Sequence, residues 1–112
     1  MEESSGWHRV ATLSDLRANE PYATSLGEDP IALYKMDDAV YAIGDVCTHE
    51  FALLSGGFVE GGVIECPLHQ ATFDIRTGRC LSPPATADLP IYEARIDGDA
   101  IYVRAKTRCK AS

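Results

Sequence analysis

Apolar positions along the chain fall into short runs that alternate with turn residues. Runs rich in Val, Ile and Tyr lie at residues 7–12, 31–36, 40–44, 91–96 and 100–104. β-Branched and aromatic residues in runs of this length are typical of strands. No segment of the sequence keeps a helical apolar period over several turns, and only a short helical turn is predicted, at residues 14–16.

Turn residues between neighbouring runs predict two β-hairpins. Residues 37–39 separate the second run from the third, and Asp97-Gly98-Asp99 separates the last two. Asp-Gly between apolar runs is a strong hairpin signal, because Gly readily takes the positive φ of a tight turn. Consecutive hairpins predict an antiparallel all-β domain, built as a small sandwich or barrel.

The middle of the chain has a different character. Glycines and prolines are concentrated between residues 45 and 90, and strand signals are reduced there to residues 63–65 and 72–75. A long structured loop region inside a compact domain is usually functional. We therefore expect a loop-rich subdomain inserted between the hairpins.

Size and charge narrow the class of protein. A chain of 112 residues with 46% hydrophobic residues predicts one globular domain. Its net charge of −7 argues against nucleic acid as a partner, because phosphate binding requires clustered Lys and Arg. The sequence contains neither a signal-peptide pattern nor an apolar run long enough to span a membrane. A cytoplasmic protein with reduced thiols and no membrane contact is expected.

Two short motifs in the loop-rich region each supply one thiol and one imidazole. The first is Cys47-Thr48-His49 and the second is Cys66-Pro67-Leu68-His69. Either motif alone is compatible with an inert Cys and an ordinary His. Two such pairs in one region, using two of the three histidines in the chain, favour a metal site.

The arrangement of the donors bears on the kind of metal site. Zinc accepts two Cys and two His, but its sites typically pair like residues within one loop. A plant-type all-Cys cluster requires a close group of cysteines that this sequence lacks. A Rieske centre has two Cys on one iron and two His on the other, and one mixed loop on each side of the cluster fits that geometry.

The two motifs and the chain from residue 7 to about residue 104 resemble the small Rieske-type ferredoxins of bacterial ring-hydroxylating dioxygenase systems. The resemblance implies an all-β fold, an antiparallel β-sandwich with an inserted rubredoxin-like cluster-binding subdomain. Residues 1–112 would form one Rieske domain. The sandwich would cover about 5–44 and 88–106, the subdomain about 45–87, and a flexible basic tail 107–112.

The resemblance also implies one [2Fe-2S] cluster and its ligands. Cys47 and Cys66 would bind the inner iron, and His49 and His69 the outer, more exposed iron. The proline-containing segment at residues 82–84 would shield the cluster. Of the other cysteines, Cys80 is expected to be an inert buried thiol and Cys109 an exposed thiol of the tail.

Two classes of function compete, an electron carrier and an oxygenase. An oxygenase requires a second, mononuclear iron held by two His and a carboxylate. After His49 and His69 are assigned to the cluster, His8 is the one histidine left in the chain. We therefore expect an electron carrier with no catalytic site of its own.

The resemblance implies a flavin-dependent NADH reductase as donor and a terminal aromatic oxygenase as acceptor, in aromatic catabolism. Contacts are expected around the histidine end of the cluster, with Glu50, Phe51, Gln70 and Pro83 as candidates. A monomer is expected, with a basic patch on at least one partner. Two alternatives remain open: a Rieske-like small subunit of an assimilatory nitrite reductase, and a Rieske-fold interaction module without a redox role.

Overall fold

The computed structural model describes residues 6–37, 39–46, 53–67, 71–81 and 88–105. These residues form strands β1 (His8–Thr12), β2 (Pro21–Leu26), β3 (Asp29–Met36), β4 (Ala39–Gly44), β5 (Phe58–Glu60), β6 (Val63–Glu65), β7 (Thr72–Asp74), β8 (Ile91–Asp97) and β9 (Ala100–Ala105). Two 3₁₀ turns lie at Leu13–Asp15 and Leu54–Gly56. The predicted all-β class is confirmed, and the predicted helical turn begins one residue earlier than expected. No helix in the described ranges is long and apolar enough to cross a membrane.

The strands form two antiparallel sheets. The large sheet has six strands in the order β1-β9-β8-β4-β3-β2, and the small sheet has three in the order β5-β6-β7. The two edge strands of the large sheet lie close to each other. The Thr24 hydroxyl of β2 donates a 3.2 Å hydrogen bond to the Val10 carbonyl of β1. The large sheet therefore curls around its own core.

Tight turns set the register of both predicted hairpins. Asp97 pairs with Ala100, so the loop residues of the last hairpin are Gly98 and Asp99, with Gly98 at φ +65°. The predicted turn is thus confirmed, and its loop consists of the second and third of the predicted turn residues. The earlier hairpin turns at Asp37, which takes the left-handed φ of +57°. Asp tolerates this conformation better than most residues do.

Strands β2 and β5 are absent from the sequence-based prediction. β2 is an edge strand whose small residues are exposed or half-buried, so its apolar alternation is weak. β5 has three residues and pairs with β6 across the turn at Gly61 and Gly62, whose φ angles are +60° and +80°. Both strands form through pairing with a neighbour rather than through their own pattern.

Strand β3, which lies between β4 and the edge strand β2, is buried on both faces. Ile31 and Leu33 point into the core enclosed by the large sheet, while Ala32, Tyr34 and Met36 point to a second core. Successive side chains of a strand face opposite sides, so a strand between two cores must be apolar at nearly every position. The uninterrupted run at residues 31–34 reflects this double burial.

The second core joins the large sheet to the small sheet. Its members from the inserted segment are fully buried, and they are Leu54, Ile64, Cys66, Ala71, Phe73 and Ile75. These residues come from β6, β7 and the turns beside them. One predicted metal ligand, Cys66, therefore lies in the contact between the two sheets.

Gly57 lies where the chain passes closest to another main-chain segment. A Cβ atom on Gly57 would be 1.9 Å from the carbonyl oxygen of Glu65, whereas a Cβ on Gly56 would meet nothing closer than 3.8 Å. Gly57 has φ −95°, so its requirement for glycine comes from this close approach and not from a left-handed backbone.

Substitution tests this close approach. We expect Gly57→Ala to lower the free energy of unfolding by about 1–3 kcal/mol, because β5 must move away from β6. Gly56→Ala is the matched control and should change it by less than about 0.5 kcal/mol. Thermal unfolding followed by circular dichroism at one scan rate measures both. Equal effects of the two substitutions would contradict the steric argument.

The hydroxyl of Tyr34 lies in the second core. Its side chain is fully buried, and the hydroxyl has no hydrogen-bond partner within the described part of the chain. Burial, and secondly the negative charge of Asp45, raises the pKa of the Tyr34 hydroxyl above its ordinary value. A buried hydroxyl without a partner destabilises a fold by about 1–3 kcal/mol.

Removal of this hydroxyl is expected to stabilise the protein. Tyr34→Phe should raise the unfolding temperature at neutral pH by about 4 °C, which corresponds to about 1 kcal/mol. The folded protein keeps the Tyr34 proton while the unfolded chain loses it near pH 10, so wild-type stability should fall above about pH 10. Tyr34→Phe removes that component of the fall. Tyr22→Phe, at a half-buried position, is the control, and destabilisation by Tyr34→Phe would show that the hydroxyl has a partner.

Candidate metal centre

The register of the small sheet aligns the start of β5, the end of β6 and the start of β7 at one end of the sheet. Phe58 pairs with Glu65, and Glu65 pairs with Thr72. The Leu81 amide donates to the Thr72 carbonyl at 2.8 Å, which adds the chain after β7 to the same row. The two predicted ligand loops and the predicted proline loop therefore start or end beside this row.

The second predicted ligand loop is closed by Cys66. The Cys66 amide donates to the Ala71 carbonyl at 2.8 Å, directly beyond the last pair of β6 and β7. The Cys66 side chain is 1% exposed and belongs to the second core. His69 and Gln70 lie between these two residues and outside the described residues. Cys66 is thus a buried thiol at the base of a short loop that carries a histidine.

The first predicted ligand loop is closed by Asp45 and its neighbour. Val46 and Leu53 form an antiparallel bridge, and the Leu54 amide donates to the Asp45 carbonyl at 2.7 Å. Cys47 and His49 follow this closure, together with Glu50 and Phe51, and all four lie outside the described residues.

The carboxylate of Asp45 accepts two hydrogen bonds from the far side of that loop. The Ser55 amide donates to Oδ1 and the Ser55 hydroxyl to Oδ2, both at 2.7 Å. Burial raises the pKa of the Asp45 carboxyl, and the two bonds from Ser55 act in the opposite direction. An Asp at the end of a strand is commonly a turn residue, but the Asp45 side chain is 1% exposed and links two segments.

The third loop is held by contacts of Cys80 and its neighbours. Phe73 and Cys80 form an antiparallel bridge, and the Cys80 amide donates to Asp88 Oδ1 at 2.8 Å. The Cys80 side chain is half-buried against the second core, which is less buried than the sequence predicted. Pro83 lies outside the described residues, as does Cys109.

The bases of the two ligand loops approach each other through glycine. A Cβ on Gly56, after the first loop, would lie 3.8 Å from Pro67 Cγ in the second loop. Gly57, the next residue, lies against the Glu65 carbonyl, one residue before Cys66. The segment that follows the first loop therefore lies against the start of the second loop.

The described residues fit a metal centre in the part that they show. Cys66 supplies a buried sulfur, the donor that iron–sulfur clusters use. Within the described ranges no group of three or more His, Cys, Asp or Glu could hold a metal ion, since Cys47, His49 and His69 lie outside them. The remaining histidine, His8, is exposed on β1 of the large sheet, as the carrier interpretation requires.

The chain matches a known domain family and several ferredoxins. The model of the Rieske [2Fe-2S] domain matches residues 6–93. The anthranilate 1,2-dioxygenase ferredoxin subunit of Burkholderia cepacia is 41% identical over 90 residues, which cover 80% of this chain and 83% of that protein. The ferredoxin component of the naphthalene 1,2-dioxygenase/salicylate 5-hydroxylase systems of Ralstonia sp. is 37% identical, with 88% and 94% covered.

Solved structures show the same fold. The ferredoxin of carbazole 1,9a-dioxygenase from Nocardioides aromaticivorans IC177 superimposes with a TM-score of 0.85 at 36% identity, covering 89% of this chain and 98% of that one. A paired Cys/His loop arrangement with a buried Cys66 fits the cofactor of this domain, one Rieske-type [2Fe-2S] cluster. On both sequence and fold, the chain belongs to the Rieske [2Fe-2S] domain family.

Proposed function

We propose that this chain carries single electrons from a flavin-dependent NADH reductase to a terminal aromatic-ring-hydroxylating oxygenase. The observation that carries the proposal is the match, over most of both chains, to ferredoxin components of aromatic dioxygenase systems. A ferredoxin that is 34% identical, with a TM-score of 0.84 over 94% of this chain and 98% of its own, is described in a complex of reduced oxygenase and oxidized ferredoxin in carbazole 1,9a-dioxygenase. These relatives favour the carrier over a nitrite reductase subunit or an inert interaction module.

Oxygenases with this fold support the distinction between carrier and catalyst. The match to apo dicamba monooxygenase, at 27% identity, covers 90% of this chain but 33% of that one. A second dicamba monooxygenase structure, also at 27% identity, is covered to 34%. The Rieske fold therefore makes up about a third of such chains, and the present sequence matches that third. The chain is an electron-transfer component and not itself a catalyst.

The proposed ligands are Cys47 and Cys66 for the inner iron and His49 and His69 for the outer iron. The cluster, when bound, accepts and releases one electron at a time. Cys66 fits the inner position because the second core buries its side chain and excludes water from that side. The cluster-binding segment is proposed to span about residues 45–87. A monomer in the cytoplasm is part of the same proposal.

Ligand variants test the assignment. Cys66→Ser and His69→Ala should each lower iron and sulfide per chain by about tenfold or more, because each removes a ligand. His8→Ala is the matched control, since an exposed imidazole on β1, outside the loops, should be dispensable. Metal analysis, visible absorption and circular dichroism measure cluster content and folding together.

The metal content and the spectrum of the wild-type protein also test the Rieske assignment. Zinc in place of iron, or a reduced spectrum of the all-cysteine type, would overturn the Rieske assignment. Full iron content in folded Cys66→Ser would overturn the role of Cys66.

The contact surface for the oxygenase is proposed to include the outer face of the small sheet beside the loops. Phe58 and Leu81 lie in one register row and are 69% and 49% exposed. Glu65 and Thr72 lie between them, and three strand spacings make the row about 14 Å long. Glu65 directly precedes Cys66, so a partner on this row would lie close to the cluster. The candidates Glu50, Phe51, Gln70 and Pro83 belong to the loops that flank the row.

Two exposed apolar side chains next to an acid suit a transient protein contact. Redox encounters use small interfaces, and aromatic residues contribute more to such interfaces than their number suggests. The net charge of −7 adds long-range attraction to a basic partner surface.

Steady-state assays with the reductase and oxygenase test the row. Phe58→Ala and Leu81→Ala should each raise the KM for the ferredoxin by about fivefold, which corresponds to about 1 kcal/mol. Ile96→Ala, which removes another exposed apolar side chain on the large sheet, is the control. Added salt should weaken turnover similarly in all variants, because it screens charge and not apolar contact. Unchanged KM in both row variants would exclude this face.

A further inference from the structure

Asp45 is the one charged side chain that is buried among the residues described in the structure. It lies between the last residue of β4 and the first ligand loop. Both carboxylate oxygens are occupied, because the amide and the hydroxyl of Ser55 donate to them at 2.7 Å each. Hydrogen bonds from ionised or polar donors to a carboxylate are among the stronger ones in proteins, so this carboxylate holds Ser55 firmly.

The main chain of Asp45 makes two further bonds. Its amide donates to the Pro30 carbonyl of β3 at 3.1 Å, and its carbonyl accepts from the Leu54 amide at 2.7 Å. One residue therefore connects three segments: the large sheet, the start of the ligand loop and the end of that loop. Four hydrogen bonds at one position fix where the loop leaves the sheet and where it returns.

The two ligand loops are closed in different ways. The Cys66 amide and the Ala71 carbonyl close the second loop by one main-chain bond directly beyond β6 and β7. The first loop runs from Val46 to Leu53, is longer, and has an isolated bridge rather than a strand pair at its base. A longer loop has more conformational freedom to lose, so it requires an additional constraint. The carboxylate of Asp45 supplies that constraint.

We propose that Asp45, through Ser55, is a positioning residue that sets the geometry of the Cys47–His49 ligand pair. The inference rests on the proposed function, because it uses Cys47 and His49 as ligands. Both carboxylate oxygens of Asp45 bind Ser55, so the role that we assign to Asp45 is to position the loop and not to bind metal. Residues that orient metal ligands affect retention of the metal and its electronic structure, in addition to stability. A carboxylate that only stabilised the fold would leave the spectrum of the cluster unchanged.

Three variants of the cluster-loaded protein test the inference. Ser55→Ala removes the hydroxyl donor and keeps the amide donor. Asp45→Asn keeps the shape and one good acceptor, and Asp45→Ala removes both acceptors. Ile101→Val is the control, because Ile101 is fully buried in the core of the large sheet and does not belong to the second core or the loops.

The readouts are the electron paramagnetic resonance spectrum of the reduced protein and the rate at which a strong iron chelator bleaches the visible absorbance. We expect Ser55→Ala and Asp45→Ala to bleach about 10–100-fold faster than wild type, with altered g anisotropy. Asp45→Asn should restore most of the wild-type spectrum. Ile101→Val should unfold at a lower temperature and keep the wild-type spectrum.

The outcomes test the positioning role of Asp45 and the proposed function separately. If Ser55→Ala and Asp45→Ala keep the spectrum and bleaching rate of Ile101→Val, Asp45 has no positioning role. If Asp45→Ala does not fold, Ser55→Ala decides alone, because it leaves the carboxylate one donor. A wild-type protein without a Rieske spectrum would overturn the proposed function, and this inference with it. A normal wild-type spectrum with unaffected variants would overturn the inference alone.

Discussion

The contact between β3 and the small sheet is the interaction on which the metal centre depends. β3 supplies Ala32, Tyr34 and Met36 to the second core, and the inserted segment supplies Ile64, Phe73 and others. A three-stranded sheet of nine paired residues is too small to be stable alone, so it requires this packing. Cys66 lies inside the same core, which means that the packing that stabilises the sheet also positions the sulfur that we propose as a cluster ligand.

The small sheet then orders the loops around that donor. Its register aligns Phe58, Glu65, Thr72 and Leu81; Glu65 and Thr72 flank the second ligand loop, and Leu81 directly precedes the predicted proline loop. Gly57, which precedes Phe58, has no room for a side chain, because a Cβ atom there would be 1.9 Å from the Glu65 carbonyl oxygen. Main-chain geometry thus brings the described ends of the two loops close together, although the loops are far apart in sequence. A cluster whose irons each take one donor from each loop requires such an approach.

Much of this organisation is visible in the sequence, and the rest depends on tertiary contacts. Both hairpins, the doubly apolar β3 and the two Cys/His motifs follow from local patterns that the chain carries itself. The sequence pattern did not predict β2, which is half-exposed, or β5, which has three residues, because both strands form through pairing with a neighbour. Asp45 escaped because an Asp at the end of a strand looks like a turn residue. Its burial and its bonds to Ser55 arise only when β4 and the 3₁₀ turn meet.

The distribution of charge and apolar surface fits the proposed function, in which the protein binds a donor and an acceptor in turn. A carrier has to leave each partner after one electron, so its contacts must be small and its attraction mainly long-range. In the proposed function the net charge would supply attraction that acts before contact, while Phe58 and Leu81 would supply a limited apolar area at contact. The buried carboxylate of Asp45, whose two oxygens accept hydrogen bonds from Ser55, adds no exposed charge to that surface. The charge that links the two ends of the first loop is therefore separate from the surface charge that would attract a partner.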